Sequence, residues 1–185
     1  MANENLPIGG MPINMPYGNV RCRRYGVAVA NATAIYIGDA VLLVAATGTV
    51  IRATGGAGNY LLGFVLGCYD SSGAPIGYLP TTTAGYVLVA DDPNQQFILQ
   101  EDGVTTPLAA EDVGEGVDLI IGTGSTFNQR SGTMIDSNTV GTGLTTQLRI
   151  LAKQDRVNND LGAYCKWIVQ INLHQLTAGA VGQPI

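Results

Sequence analysis

Four carboxylates in VADDPNQQFILQED (89–102) are the densest concentration of groups able to do acid–base or cation chemistry in this sequence. Asp91 and Asp92 stand before a proline, and Glu101 and Asp102 close the strand-like run that follows. Two such pairs flanking one hairpin-like unit have the residue types of a Ca²⁺ site, or of the acid and base of a glycosidase. A plainer use is favoured. Asp-Pro-Asn is turn chemistry, because the Asp92 side chain bonds nearby backbone N–H groups and Pro93 fixes φ. Glu101-Asp102-Gly103 reads in the same way as a strand exit, and Asp39 in IGDA (37–40) as a turn residue.

The remaining catalytic inventory is thin. Acyl transfer through Ser or Cys needs a base, and His174 is the only histidine. It falls on the polar face of the last strand-like segment, with no nucleophile beside it, and reads as a surface or interface histidine. Nucleophile-elbow, Walker A, dinucleotide and zinc-protease signatures do not occur. The glycine clusters GGAGN (55–59) and GTGS (122–125) precede no helical pattern, so they lack the helix N-terminus that gives a phosphate loop its affinity. Cys22, Cys68 and Cys165 are odd in number and show no C-x-x-C spacing, which supports neither a disulfide framework nor a zinc site. No catalytic residue, cofactor or metal is expected.

The elements that must carry these residues read as β throughout. Short runs rich in Val, Ile, Tyr and Leu alternate with Gly, Pro, Asn and Asp. Strands are predicted at 25–30, 34–37, 40–45, 49–53, 60–69, 86–90, 96–100, 117–121, 148–153 and 164–174. In YCKWIVQINLH (164–174), Cys165, Trp167, Val169, Ile171 and Leu173 share one face, and the other face is mostly polar. That period of two marks a strand with one side on a core, with Trp167 as its anchor. A single helical turn is predicted at 106–114, with Thr106 as N-cap, Pro107 at the first position and Gly114 beyond the end. Segment 122–147 is polar and weakly periodic. It reads as an ordered surface loop, or as two short strands around Met134–Ile135 and Thr145–Gln147.

The expected architecture is all-β: a compact barrel or sandwich of short antiparallel strands with an extended N-terminal arm. Residues 1–24 form the arm, 25–176 a single β domain and 177–185 a C-terminal tail. The arm contains LPIGGMPINMPYG (6–18), which is apolar, uncharged and rich in proline and glycine. Proline favours extended backbone and bars a central strand position. Leu6, Ile8, Met11, Ile13, Met15 and Tyr17 therefore want burial that the segment does not supply for itself. They are expected to lie against a neighbouring subunit or another protein, with Arg21, Arg23 and Arg24 meeting an acidic rim.

Composition points the same way. Only 12% of the 185 residues are charged, about half of what an average soluble domain carries. A monomer with so little charge is sticky unless neutral polar residues or other subunits cover it. The net charge of −5 argues against a nucleic-acid partner, which calls for a basic stripe. No run of about 18 apolar residues exists to span a membrane. Glu4 and the prolines disfavour a secretory signal, so synthesis and assembly in the cytoplasm are expected.

In MANEN at the start, YIGDAV (36–41), LGFVLG (62–67), VLVADDPNQQFILQED (87–102), DVG (112–114), SGTMIDSNT (131–139), LRIL (148–151) and RVNNDLGAYCKWIVQINLHQ (156–175), the chain resembles a family of small structural proteins of tailed bacteriophages. These are the head decoration, or capsid cement, proteins. The landmarks follow one another in order along nearly the whole chain. The resemblance implies a virion protein on the outer face of an icosahedral head, bound to the major capsid protein and clustered with itself, most simply as a homotrimer. It implies no catalysis, small-molecule substrate, nucleic acid or membrane. The chain departs from the family pattern in its proline-rich arm and in a shorter stretch before TTTAGYVLV (81–89). A neck or tail component of the virion, or a carbohydrate-binding or glycosidase-like β domain built on the acidic pairs, are the alternatives.

Overall fold

The computed structural model describes residues 3–13, 18–104 and 106–177. The fold is all-β, as the sequence predicts. Its strands are β1 (Met11–Pro12), β2 (Cys22–Val27), β3 (Ile35–Tyr36), β4 (Ala40–Val44), β5 (Thr49–Arg52), β6 (Gly63–Asp70) and β7 (Pro75–Ile76). They continue with β8 (Tyr78–Leu79), β9 (Gly85–Ala90), β10 (Gln96–Gln100), β11 (Gly116–Ser125), β12 (Arg130–Gly141), β13 (Leu148–Lys153) and β14 (Lys166–Ile171).

Two larger sheets organise the chain. One runs β4-β5-β2-β9-β6-β7, and a further β4–β6 pairing closes five of its strands into a barrel. Its β2–β5 contact is parallel and rests on a single pair, Gly26 with Thr49, so it is the least hydrogen-bonded seam of the barrel. The other sheet runs β1-β10-β14-β13-β11-β12. A small third sheet pairs β3 with β8.

Alternation explains why these segments are strands. In β14, Trp167, Val169 and Ile171 are buried while Lys166, Ile168 and Gln170 are half-buried. Neighbouring β10 contributes Phe97 and Leu99, and β13 contributes Leu148 and Ile150, to the same core. Each such aliphatic or aromatic side chain stabilises the fold by about 1.5–3 kcal/mol through loss of apolar surface. The core does not stop at the sheet. Phe64 of β6 meets Phe97 of β10 with ring centroids 4.7 Å apart and planes tilted by 53°, so barrel and sheet share one apolar interior. A second cluster, including Val27, Ile35, Val65 and Val87, fills the barrel itself.

Several elements depart from the expected boundaries. The strand predicted at 25–30 starts at Cys22, so the last three residues of the expected arm lie in the barrel wall. Segment 122–147 is no surface loop. It completes β11 and forms all of β12, a hairpin with strands of 10 and 12 residues; Met134–Ile135 lie in β12, whereas Thr145–Gln147 lie in no strand. Its polarity hides it, because Ser131, Thr133 and Ser137 are buried and hydrogen-bonded rather than apolar. The helical turn narrows to a 3₁₀ turn at Ala110–Asp112. It is capped by the Asp112 carboxylate, which accepts from Ala109 N at 2.7 Å, and not by Thr106.

The described part of the arm lies on its own chain. Met11 and Pro12 pair with Ile98 and Phe97 at the edge of β10, a position where proline costs no ladder bond. Gly10 is buried so tightly beneath Phe64 that a Cβ there would sit 2.2 Å from the ring. Gly9 next to it adopts φ = 72°, which favours glycine.

Candidate functional site

The four carboxylates do not converge; each has structural partners of its own. Asp91 directly follows β9 and is fully buried. Its Oδ2 accepts from the Tyr25 hydroxyl at 2.6 Å and lies 3.4 Å from Arg23 Nε, while Oδ1 lies 3.9 Å from Arg21 Nε. Burial, reinforced by Asp91, pushes the Tyr25 phenol up to about 12. Asp92 makes the turn predicted for it: its Oδ1 accepts from Asn94 N at 2.9 Å and its carbonyl from Gln95 N. Asp102 accepts from the Ser137 hydroxyl at 3.0 Å.

Glu101 is the unusual member. It is fully buried, with Oε2 accepting from Leu108 N at 2.8 Å and Oε1 from Cys165 N at 3.4 Å. Burial pushes its carboxyl up to about 7 against the pull of those two N–H groups, with Asp102 and Asp112 adding to the rise. It ties the end of β10 to the 3₁₀ region and to the start of β14. Among the described residues, no group of three or more His, Cys, Asp or Glu side chains is placed to hold a metal ion.

His174 is not on the surface. Strand β14 ends at Ile171, the alternation breaks there, and His174 turns inward to bridge Leu61. It is fully buried, its Nδ1 accepts from Leu176 N at 3.0 Å, and burial lowers its pKa. The three cysteines are free. Burial raises the Cys68 and Cys165 thiols to about 12 and about 11, which leaves them inert, while Cys22 is exposed.

The expected interface residues separate into three groups. Leu6 is half exposed, and Ile8, Met11 and Ile13 are partly buried on their own chain. Met15 and Tyr17 lie outside the described residues. The arginines divide because successive strand side chains point to opposite faces. Arg21 and Arg23 turn to Asp91, whereas Arg24 lies over the Tyr86 ring, 3.6 Å from its centroid. They form no single basic patch.

Two further surface features emerge. Beside the arm, the loop between β13 and β14 borders a cleft of about 310 Å³ lined by Asn3, Glu4, Leu6, Arg156, Val157 and Lys166 among others. Asn159 staples this loop: its Nδ2 donates to Gln154 O and Lys166 O, and its Oδ1 accepts from Lys166 N at 2.7 Å. Held in this way, Val157 is 84% exposed. At the β11–β12 tip, Phe127 is 99% exposed, while Asn128 Oδ1 accepts from Arg130 N and fixes the turn. An apolar residue isolated among turn formers, as in RVNND and STFNQR, is the sequence signal for both.

No family model, curated protein or solved structure matches the chain.

Proposed function

We propose that this chain is a structural virion protein of a tailed bacteriophage that binds the outer surface of the capsid and stabilises the head by bridging capsomers. The observation that carries the reading is a rigid β body presenting large apolar side chains to solvent. Phe127, Val157, Leu144 and Leu161 are all exposed, in a chain with only 12% charged residues. Such groups on hydrogen-bonded loops suit docking onto another protein, because the backbone that presents them has little freedom left to lose on contact. The landmarks by which the sequence resembles decoration proteins point to the same assignment. The major capsid protein and other copies of the chain, most simply in a trimer, are the partners, and no cofactor or small-molecule substrate enters. Attachment per copy can be modest, since many copies around one shell act together.

The test is sedimentation and heating of heads from the phage that encodes the chain, with and without the protein. The protein is expected to co-sediment with heads, and heads lacking it to release DNA at lower temperature. Absence from the head fraction together with equal stability of both head types sinks the reading. Labelled protein found at the neck or tail instead assigns it to another part of the virion.

A further inference from the structure

The arm occupies a built receptor. Gln95 and Gln100 are buried side chains whose polar ends serve the arm. Gln95 Nε2 donates to Ile13 O at 2.6 Å, Gln100 Oε1 accepts from Leu6 N at 3.1 Å, and Gln100 Nε2 donates to Asn5 Oδ1. Gly10 N donates to Gly38 O, and Ile13 N to Gln96 O. Asn3 closes the far end, donating to Asp160 O and Ala163 O and accepting from Asp160 N. Every one of these partners lies far along the chain, so a second copy offers the same set.

The sequence between the arm and the barrel is longer than the turn beside it. Met11 pairs with Ile98 and Cys22 with Ala90, so both flank the turn between β9 and β10. Residues 91–95 make that turn with five residues, whereas 14–21 supply eight between Ile13 and Cys22. Eight residues reach about 26 Å when extended. A connecting sequence longer than the adjacent turn gives the segment reach towards the same groove on a neighbouring copy, and exchange of an identical element is a low-cost route to oligomers.

We infer that the groove along β10 is a receptor for residues 3–13 of a second copy of this chain, and that copies exchange arms. The inference rests on reading the chain as a self-associating shell component, and it names the contact through which copies associate. An exchanged arm makes the same hydrogen bonds as a resident one, and it adds the connecting segment as a tie between subunits.

The test uses full-length chains carrying Cys22→Ser, so that the remaining native thiols are the two buried ones. One chain carries Met11→Cys and the other Ile98→Cys; the two are co-expressed, purified together and gently oxidised. Exchange gives a disulfide-linked dimer joining positions 11 and 98, several-fold above a control pairing Met11→Cys with Ser71→Cys. A chain carrying both changes should form interchain links in the same preparation. If that chain instead closes on itself as a monomer at every concentration, and the mixed pair gives no more dimer than the control, arm exchange is overturned. Should either core-adjacent change prevent folding, judged by circular dichroism, Asn3→Cys with Ala163→Cys decides by the same criterion. Head binding by the unchanged chain is measured separately, so loss of arm exchange leaves the capsid assignment standing.

Discussion

Arg52 Nε lies 3.0 Å from Asp39 Oδ2, and the pair is out of water: the Asp39 side chain is fully buried and that of Arg52 is 11% exposed. Arg52 stands at the end of β5, and its Nη2 also donates to Gly122 O of β11. Asp39 in turn accepts from Tyr36 N at 2.8 Å and from the hydroxyls of Ser131 and Thr133 on β12. The pair therefore welds the barrel to the second sheet, where the sequence suggests only a turn aspartate. Burial raises the Asp39 pKa, and Arg52 and the Ser131 hydroxyl oppose that rise.

Removing the cation alone leaves a buried carboxylate without compensation. Arg52→Met is expected to cost about 3–5 kcal/mol of stability, read as a lower urea midpoint with little change in slope. Adding Asp39→Asn should recover part of the loss, because the carboxamide oxygen still accepts from Tyr36 N and a hydroxyl. A loss below about 1 kcal/mol, the range of exposed pairs, would show that the weld is not electrostatic.

Glu101 makes stability depend on pH with a defined sign. Its carboxyl is raised from 4.5 to about 7 in the folded chain, so the fold favours the protonated form. The contribution is fully present below the unfolded value and is lost as pH rises through about 7, by on the order of 2 kcal/mol. His174 acts in the opposite sense, since its lowered pKa means stability lost as pH falls through that depressed value. Urea midpoints at pH 5 and pH 8 read the net of the two, and a Glu101 variant isolates the first. Glu101→Gln should flatten the fall between those pH values; an unchanged slope would assign the pH dependence elsewhere.

How much of this was legible follows from what each residue buries. Trp167, Val169 and Ile171 announce β14 because apolar burial leaves a period of two in the sequence. Ser131, Thr133 and Ser137 bury themselves through hydrogen bonds to Asp39 and Asp102, so beyond 117–121 and Met134–Ile135 the long β11–β12 hairpin leaves no hydropathy trace. His174 was misplaced because alternation was extended past Ile171, where the strand ends. Arg21, Arg23 and Arg24 read together as facing one acidic rim because a run of like charges is visible in sequence, while the two faces of β2 are not. The turn at Asp92 was legible, being local; the burial of Asp91 and Glu101 was not, because the groups that cover them are distant in the chain.

The loop between β13 and β14 depends on one side chain. Asn159 is buried and satisfies Gln154 O and both backbone groups of Lys166, while Lys153 Nζ donates to the Asn159 carbonyl at 2.9 Å. Asn159→Ala removes the partner of Gln154 O and of Lys166 N, while Lys166 O keeps its bond from Gln154 N, at about 1–3 kcal/mol for a buried group left unpaired. The expected outcome is a lower melting temperature with new protease cleavage within 154–165, mapped by mass spectrometry. Cleavage elsewhere first, with this loop intact, would show that Asn159 is not its staple.

Phe127 and Val157 separate folding from attachment. Both project almost wholly into solvent, so Phe127→Ser and Val157→Ser remove no core contact and should change stability by no more than about 0.5 kcal/mol. An aromatic anchor that fills a partner's pocket carries a large share of binding energy, often 2 kcal/mol or more. If the tip of the β11–β12 hairpin docks on the capsid, Phe127→Ser should weaken head binding by roughly 30-fold at the lower end of that range. Val157→Ser, on the face beside the arm, tests a second contact independently. Titration of heads with each variant reads both effects against an unchanged melting temperature. Undiminished binding by both variants would remove these side chains from the attachment surface, and with them the observation on which the capsid assignment chiefly rests.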